Sequence, residues 1–147
     1  MFPTMSKKEK LIRAVNWINL VSKGDDAFTA LHFASFHGNL SMIKYLVMNG
    51  ADVEARNSQG INMLHVAAQG DQPISIEYFV RAGLKINSID GRKSTPLHWA
   101  AFSGAELTMN YIVAWGGKLN DTDIKGLTAL HLAVKSFKEF NTIKGIK

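Results

Sequence analysis

The chain has 147 residues, is 46% hydrophobic and 20% charged, and carries a net charge of +5, a composition typical of a globular domain. It has no cysteine, which excludes disulfides, thiolate metal sites and a cysteine nucleophile in these residues. Much of the lysine lies near the two ends, whereas a nucleic-acid site needs basic residues clustered on one face with stacking aromatics, so nucleic acid is not a predicted partner.

The sequence also has no predicted membrane segment. No apolar run approaches the ~18–20 residues that a helix needs to cross a bilayer. The N-terminus lacks the long apolar core of a secretory signal. We therefore expect no direct membrane contact from these residues, and a cytoplasmic location, or a cytosol-facing one if the parent is a membrane protein.

The chain begins with a predicted disordered start at residues 1–5, followed by a helix from residue 6 to about 20. Apolar residues recur on one face of this helix at helical spacing. Ile18-Asn19 matches Ile86-Asn87 further along the chain, so the segment resembles the second half of a later unit. A stack of repeats needs a terminal unit with a polar outer face. Residues 6–24 are therefore predicted to form an N-terminal capping half-repeat.

A four-residue pattern then recurs four times. The copies are Thr29-Ala30-Leu31-His32, Asn62-Met63-Leu64-His65, Thr95-Pro96-Leu97-His98 and Thr128-Ala129-Leu130-His131. Successive histidines are 33 residues apart. A fixed period of this length predicts stacked supersecondary units.

Each unit is predicted to contain two antiparallel helices. The first begins at a Thr or Asn, which can cap it, and the second ends at a glycine eighteen residues after the histidine, as left-handed C-caps require. The expected helices are 29–36 and 40–48, 62–69 and 74–81, 95–102 and 106–114, with a lone helix near 128–137 and almost no strand. The connecting turns open with Asn57, Asp90 and Asp123, which bond their own backbone in turns.

The run Thr95-Pro96-Leu97-His98-Trp99-Ala100, at its 33-residue period, resembles the ankyrin signature. The resemblance covers residues 25 to 135 and implies an all-α solenoid of stacked helix-turn-helix units joined by β-hairpin-like loops. It places ankyrin repeats at 25–57, 58–90 and 91–123, and an incomplete fourth repeat at 124–147. It also implies recognition of another protein or peptide segment. We expect the chain to belong to a longer protein, and the incomplete repeat would permit end-to-end self-association.

A narrower resemblance stands beside this one. The run from Ser94 to Ala100, followed by Asp123-Ile124-Lys125-Gly126, is similar to the ankyrin portion of the DHHC-type palmitoyltransferases. In that family the repeats recruit substrates to a separate membrane-embedded catalytic domain. The alternative function is therefore a substrate-recruiting arm whose catalytic domain lies outside this chain.

The repeated histidines His32, His65, His98 and His131 are predicted to be structural. Zinc needs ligand nitrogens at ~2.0–2.1 Å, whereas equivalent residues in stacked helices lie ~8–10 Å apart. We expect each ring to bond its own Thr or Asn and a neighbouring loop carbonyl. Asp25-Asp26 lies in a turn before a helix, where carboxylates favour the helix N-terminus. No phosphate loop, metalloprotease motif or serine-nucleophile motif is present, so we predict no enzyme activity, metal or cofactor in these residues.

The ankyrin pattern implies a partner-binding site on the concave face, which is formed by the first helices and hairpin tips. The candidate residues on the helices are Phe36, His37, Gln69, Phe102, Ser103 and Lys135, and those at the tips are Phe28, Ile61, Arg92, Ser94, Lys125 and Leu127. The expected ligand is an extended or helical segment with an apolar centre and an acidic end near Lys125 and Lys135. In the alternative, Phe36 and Phe102 turn back against their own helices. Trp99 is predicted to be a core residue, because the other repeats have apolar residues there.

Overall fold

The computed structural model describes residue 4 and residues 6–143, without the side chains of 14–16 and 138–143. Most of the predicted disordered start and the last four residues lie outside the described residues. The helices are α1 (Lys7–Ile18), α2 (Ala30–Phe36), α3 (Leu40–Met48), α4 (Met63–Gln69), α5 (Pro73–Arg81), α6 (Pro96–Ser103), α7 (Glu106–Ala114) and α8 (Ala129–Ile143). An isolated bridge joins Val21 and Thr29, and no strand occurs in the described residues. The predicted all-α solenoid is confirmed.

The helices form two rows. The first helices of the repeats, α2, α4, α6 and α8, pack side by side in chain order, and the second helices α3, α5 and α7 pack behind the first three. The core between the rows is made of large apolar side chains on the second helices, such as Ile43, Phe79 and Ile112, and of small alanines on the first helices. The alanines permit the close approach of neighbouring helices, which aligns the hairpin tips on one side.

The four repeated histidines each cap their own helix. Their Nδ1 atoms accept hydrogen bonds from the backbone amides of Thr29, Asn62, Thr95 and Thr128 at 3.0–3.1 Å. The Nε2 atoms of the first three donate to the carbonyls of Ile61, Ser94 and Leu127 at 3.0–3.1 Å. An amide can only donate and a carbonyl can only accept, so the network requires a neutral ring with its hydrogen on Nε2. Each of these three histidines therefore links its own repeat to the segment that begins the next helix.

Burial also favours the neutral form of the His32 and His65 rings. Desolvation lowers the pKa of His65 from 6.5 to about 4, against the opposing effects of the Asp90 charge and the Ser94 carbonyl. Burial likewise lowers the pKa of His32, while its bond to the Ile61 carbonyl opposes the shift. His131, at the end of the row, is exposed.

The three hairpin tips contain the same type of turn. The Oδ1 atoms of Asn57, Asp90 and Asp123 accept from the amides two and four residues later at 2.8–3.0 Å. The fourth residue of each turn is left-handed, with φ of 77° at Gly60, 58° at Lys93 and 75° at Gly126. Backbone bonds then join neighbouring tips, from the Gly91 amide to the Gln59 carbonyl and from the Ile124 amide to the Arg92 carbonyl.

The predicted end of the last helix is wrong. We expected α8 to stop near residue 137, but it continues to Ile143. In the earlier repeats the chain leaves the first helix through a left-handed residue, at Gly38, Asp71 and Gly104. Phe137 is the equivalent residue in repeat 4, and it remains helical because a bulky side chain disfavours the left-handed conformation.

The buried ring of His65 predicts acid sensitivity. The pKa is about 4 in the folded chain and about 6.5 when unfolded, so the unfolded chain binds its proton first as the pH falls. The contribution of His65 to the free energy of unfolding is complete above pH 6.5 and is lost towards pH 4, by up to about 3 kcal/mol. Urea denaturation between pH 7 and 4 should show a smaller loss for His65→Gln than for the parent. His37→Gln, at an exposed histidine, is the control. An NMR titration of the His65 ring centred near pH 6.5 would contradict this assignment.

The left-handed Lys93 predicts a stabilising substitution. A Cβ in this conformation costs about 1–2 kcal/mol, while glycine loses about 0.5–1 kcal/mol more backbone entropy on folding. Lys93→Gly should therefore raise the free energy of unfolding by about 0.5–1 kcal/mol in urea denaturation. Lys125→Gly, at a tip residue outside the left-handed region, is the matched control and should lower it. Equal destabilisation by both substitutions would contradict the prediction.

Candidate functional site

The concave face carries a depression between repeats 3 and 4, with a volume of about 370 Å³, which we call the repeat 3–4 pocket. Its lining residues are Gln69, Asp90, Arg92, Ser94, His98, Trp99, Phe102, Asp123, Ile124, Lys125, Leu127, Leu132 and Lys135. The structure thus brings together seven predicted site residues: Gln69, Arg92, Ser94, Phe102, Lys125, Leu127 and Lys135. A volume of this size holds one or two side chains and is at the small end of the range for ligand pockets.

The other predicted site residues lie outside this pocket. Ile61 is only 3% exposed, so its side chain is a core residue of its tip and is not available to a partner. Phe28 is half-buried and packs edge-on against the ring of His32, with centroids 5.3 Å apart. Ser103 is exposed and its hydroxyl donates to the Trp99 carbonyl at 2.8 Å. Phe36 and His37, both exposed, meet edge to face at 5.1 Å further along the concave side.

The two predicted phenylalanines differ in their surroundings. Phe102 is 53% exposed and lines the pocket, so it does not turn back into the core. Phe36 is close to Gly70 of the next repeat, where an added Cβ would overlap the Phe36 carbonyl oxygen and lie 3.3 Å from its ring. In repeat 4 the equivalent residue, Ser136, donates its hydroxyl to the Phe102 carbonyl at 2.6 Å. Gly70 therefore lets repeat 2 approach Phe36 closely.

The wall of the pocket is built by a bond between a tip and a helix. The Trp99 Nε1–H donates to Asp90 Oδ2 at 2.9 Å, while Asp90 Oδ1 accepts from the amides of Arg92 and Ser94. The indole also packs edge-on against His65, with centroids 6.1 Å apart. The Asp90 carboxylate is thus satisfied within the protein, and the indole is held half-buried with one face at the pocket.

Sequence reasoning placed Trp99 in the core and missed its part in the site. Trp99 packs against the core and also lines the pocket. The sequence feature that indicates this part is an aspartate, Asp90, nine residues before Trp99. The equivalent pairs are Asn57 with Val66 and Asp123 with Leu132, neither of which can make a tryptophan–carboxylate bond. Leu132, equivalent to Trp99, adds a second apolar wall.

The rim of the pocket is cationic. Arg92, Lys125 and Lys135 are exposed around it. An ion pair joins Arg81 and Glu77 at 2.9 Å on a second helix, away from the pocket. None of the three rim cations forms an ion pair among the described residues. The pocket therefore combines apolar side chains with three cations, while the carboxylates of Asp90 and Asp123 also line it.

The described residues show neither a metal cluster nor a membrane span. No group of three or more His, Cys, Asp or Glu side chains among them could hold a metal ion. None of the described helices is long and apolar enough to cross a membrane.

Comparison with known proteins gives one positive result. A family model described as ankyrin repeats (3 copies) matches residues 7–90 and, in an overlapping match, residues 64–146. No curated protein matches the chain at a significant level. The matched ranges contain all four repeated histidines and every residue that lines the repeat 3–4 pocket. Nothing in these results points to a DHHC-type parent.

The close approach at Gly70 predicts that this position does not tolerate a larger residue. Gly70 has an ordinary φ of −80°, so alanine is excluded only by its overlap with Phe36. Gly70→Ala should lower the free energy of unfolding by about 1–3 kcal/mol because repeats 1 and 2 must move apart. Ser103→Ala, at the equivalent position of repeat 3, should change it by less than about 0.5 kcal/mol. Similar results for the two variants in urea denaturation would contradict the assigned packing.

Proposed function

Because the chain belongs to the ankyrin-repeat family, whose members generally mediate protein–protein interactions, we propose that it is a protein-binding module. The partner segment lies in the concave groove, which we define as the surface formed by the hairpin tips and the first helices α2, α4, α6 and α8. The observation that carries the proposal is the repeat 3–4 pocket, with its apolar interior and unpaired cationic rim.

The chemistry of the pocket specifies the ligand. Trp99, Phe102 and Leu132 offer an apolar surface that is well suited to a large apolar side chain. Exposed apolar residues clustered on one surface mark interaction sites, and aromatic residues with Arg are the usual energetic centres of interfaces. Lys125 and Lys135 then favour a carboxylate next to the buried anchor. The proposed ligand is an extended or helical segment with an apolar centre and an acidic end.

The walls of the pocket are held by contacts within the protein. Trp99 is held by Asp90 and by contact with His65, and the tip residues are fixed by their turn bonds. Preorganisation of this kind lowers the entropy that association must overcome. Phe36 and His37 extend the same groove towards repeat 1, where a longer segment would make further contacts.

The alternative of an arm that recruits substrates for a DHHC-type enzyme has no observation in its favour. Nothing indicates enzymatic activity in this chain. The binding module is therefore the function we propose.

The proposal is tested with peptides selected from a phage-displayed library in which one large apolar residue is followed by Asp or Glu at variable spacing. Fluorescence anisotropy then measures the affinity of a selected peptide for the parent and for variants. Phe102→Ala and Arg92→Glu should each weaken binding by about 5–30-fold, the usual range for central interface residues, and Phe36→Ala should do so for peptides long enough to reach repeat 1. Circular dichroism should show unchanged helix content, because all three side chains are exposed.

Lys44→Ala and Glu77→Ala, both on second helices, are the controls and should bind like the parent. The proposal is wrong if all three groove variants bind like the parent while the changes at Lys44 or Glu77 abolish binding. If the peptides bind equally well after their acidic residues are replaced by Asn or Gln, the cationic rim does not contribute to binding.

A further inference from the structure

The aspartates of two neighbouring hairpin tips differ in how many of their oxygens are used. Asp90 uses both, because Oδ1 accepts from two amides of its own turn and Oδ2 accepts from Trp99 Nε1 at 2.9 Å. Asp123, 33 residues later, makes the same turn with its Oδ1. Among the described residues no donor bonds its Oδ2. The Asp123 carboxylate, which lines the repeat 3–4 pocket, therefore keeps one acceptor for a ligand.

This difference follows from one residue of the first helix. Leu132 of α8 stands 33 residues after Trp99, and its aliphatic side chain has no donor for Asp123. Leucine is also smaller than tryptophan, so it leaves space beside the aspartate that the indole fills in repeat 3. Leu132 and Asp123 both line the pocket. The pocket therefore includes the space that corresponds to the Trp99 indole one repeat earlier.

The second contact of the Trp99 indole is repeated as well. The indole lies edge-on against His65, with ring centroids 6.1 Å apart. The equivalent of His65 is His98, which lines the pocket. Trp99 and Phe102 add two further aromatic side chains to the same lining. A ring bound there would thus be next to the equivalents of both groups that hold Trp99, with additional aromatic surface to pack against.

The charges around the pocket decide which kind of donor fits. A lysine or arginine of the ligand would be attracted by Asp123, but Arg92, Lys125 and Lys135 line the same pocket and would repel it. A purely apolar side chain would cover Asp123 without donating, and a carboxylate that loses water without gaining a partner costs free energy. A neutral donor on an apolar ring avoids both penalties. An indole has one N–H donor and no acceptor, and the pair of Trp99 with Asp90 shows that this fold supplies the geometry for it.

We propose that the apolar anchor of the partner segment is a tryptophan, whose indole N–H donates to Asp123 Oδ2 as that of Trp99 does to Asp90. The proposal rests on the proposed function and makes it more specific, since it names the side chain that enters the pocket. The ring packs against Leu132 and His98. All the groups that it uses lie between repeats 3 and 4.

The first measurement uses the anchor alone. N-acetyltryptophanamide is titrated into isotope-labelled protein, and the amides of Lys125 and Leu127, which bond Asp123 Oδ1, report binding by their NMR chemical shifts. Benzothienylalanine has a sulfur in place of the indole N–H and nearly the same shape, so its N-acetyl amide is the matched probe. The tryptophan probe should bind about 5–30-fold more tightly, the effect of one hydrogen bond to a partly exposed charged group. Equal affinities, or no shift at these amides, would overturn the proposal.

Asp123→Asn removes the acceptor and keeps the turn. Asn57 makes the same turn with its Oδ1, whereas the second polar atom of an asparagine side chain only donates. The substitution should weaken binding of the tryptophan probe by about 5–30-fold and leave the benzothienylalanine probe unchanged, so that the two changes are coupled. Asp121→Asn removes the same charge outside the pocket lining and is the matched control, which should bind both probes like the parent. Equal losses for the two probes in Asp123→Asn would contradict the hydrogen bond and overturn the proposal.

The selected peptides distinguish this proposal from the proposed function. Their apolar anchor should be tryptophan, and replacement of that tryptophan by benzothienylalanine should weaken binding to the parent but not to Asp123→Asn. Peptides that are weakened by Phe102→Ala and Arg92→Glu, but that have Phe, Tyr or Leu as the anchor or are unaffected by Asp123→Asn, would overturn this proposal and leave the proposed function standing. Peptides that bind Phe102→Ala and Arg92→Glu like the parent would overturn both.

Discussion

The stacking of the repeats depends on histidine rings that use both of their nitrogens. Nδ1 accepts the free amide at the start of its own helix, and Nε2 donates to the segment that leads into the next one. A second proton on the ring would face the hydrogen of the capping amide and remove that bond. Buried donors and acceptors without partners cost about 1–3 kcal/mol each. The geometry therefore requires the neutral ring, and at His32 and His65 burial favours it as well.

The same bonds position the candidate site. The carbonyls that accept from His65 and His98 belong to Ser94 and Leu127, and both residues line the repeat 3–4 pocket. A histidine in one repeat thus fixes the tip that precedes the next helix. Asp90 then connects that tip to Trp99. The position of the pocket wall therefore depends on the stacking of the repeats. A substitution at His65, which does not line the pocket, would consequently alter it by removing the bond to the Ser94 carbonyl.

The periodic features could be predicted from the sequence, because the period is a physical property of the stack. The capped first helices, the second helices and the bridging role of the histidines all follow from residues that recur at 33-residue intervals. The errors fall where one repeat departs from the others. Phe137 replaces a left-handed residue and lets α8 continue, Ile61 fills a space inside its tip, and Trp99 finds a carboxylate that only its own repeat supplies. Such features depend on contacts between particular neighbours, which no average pattern contains.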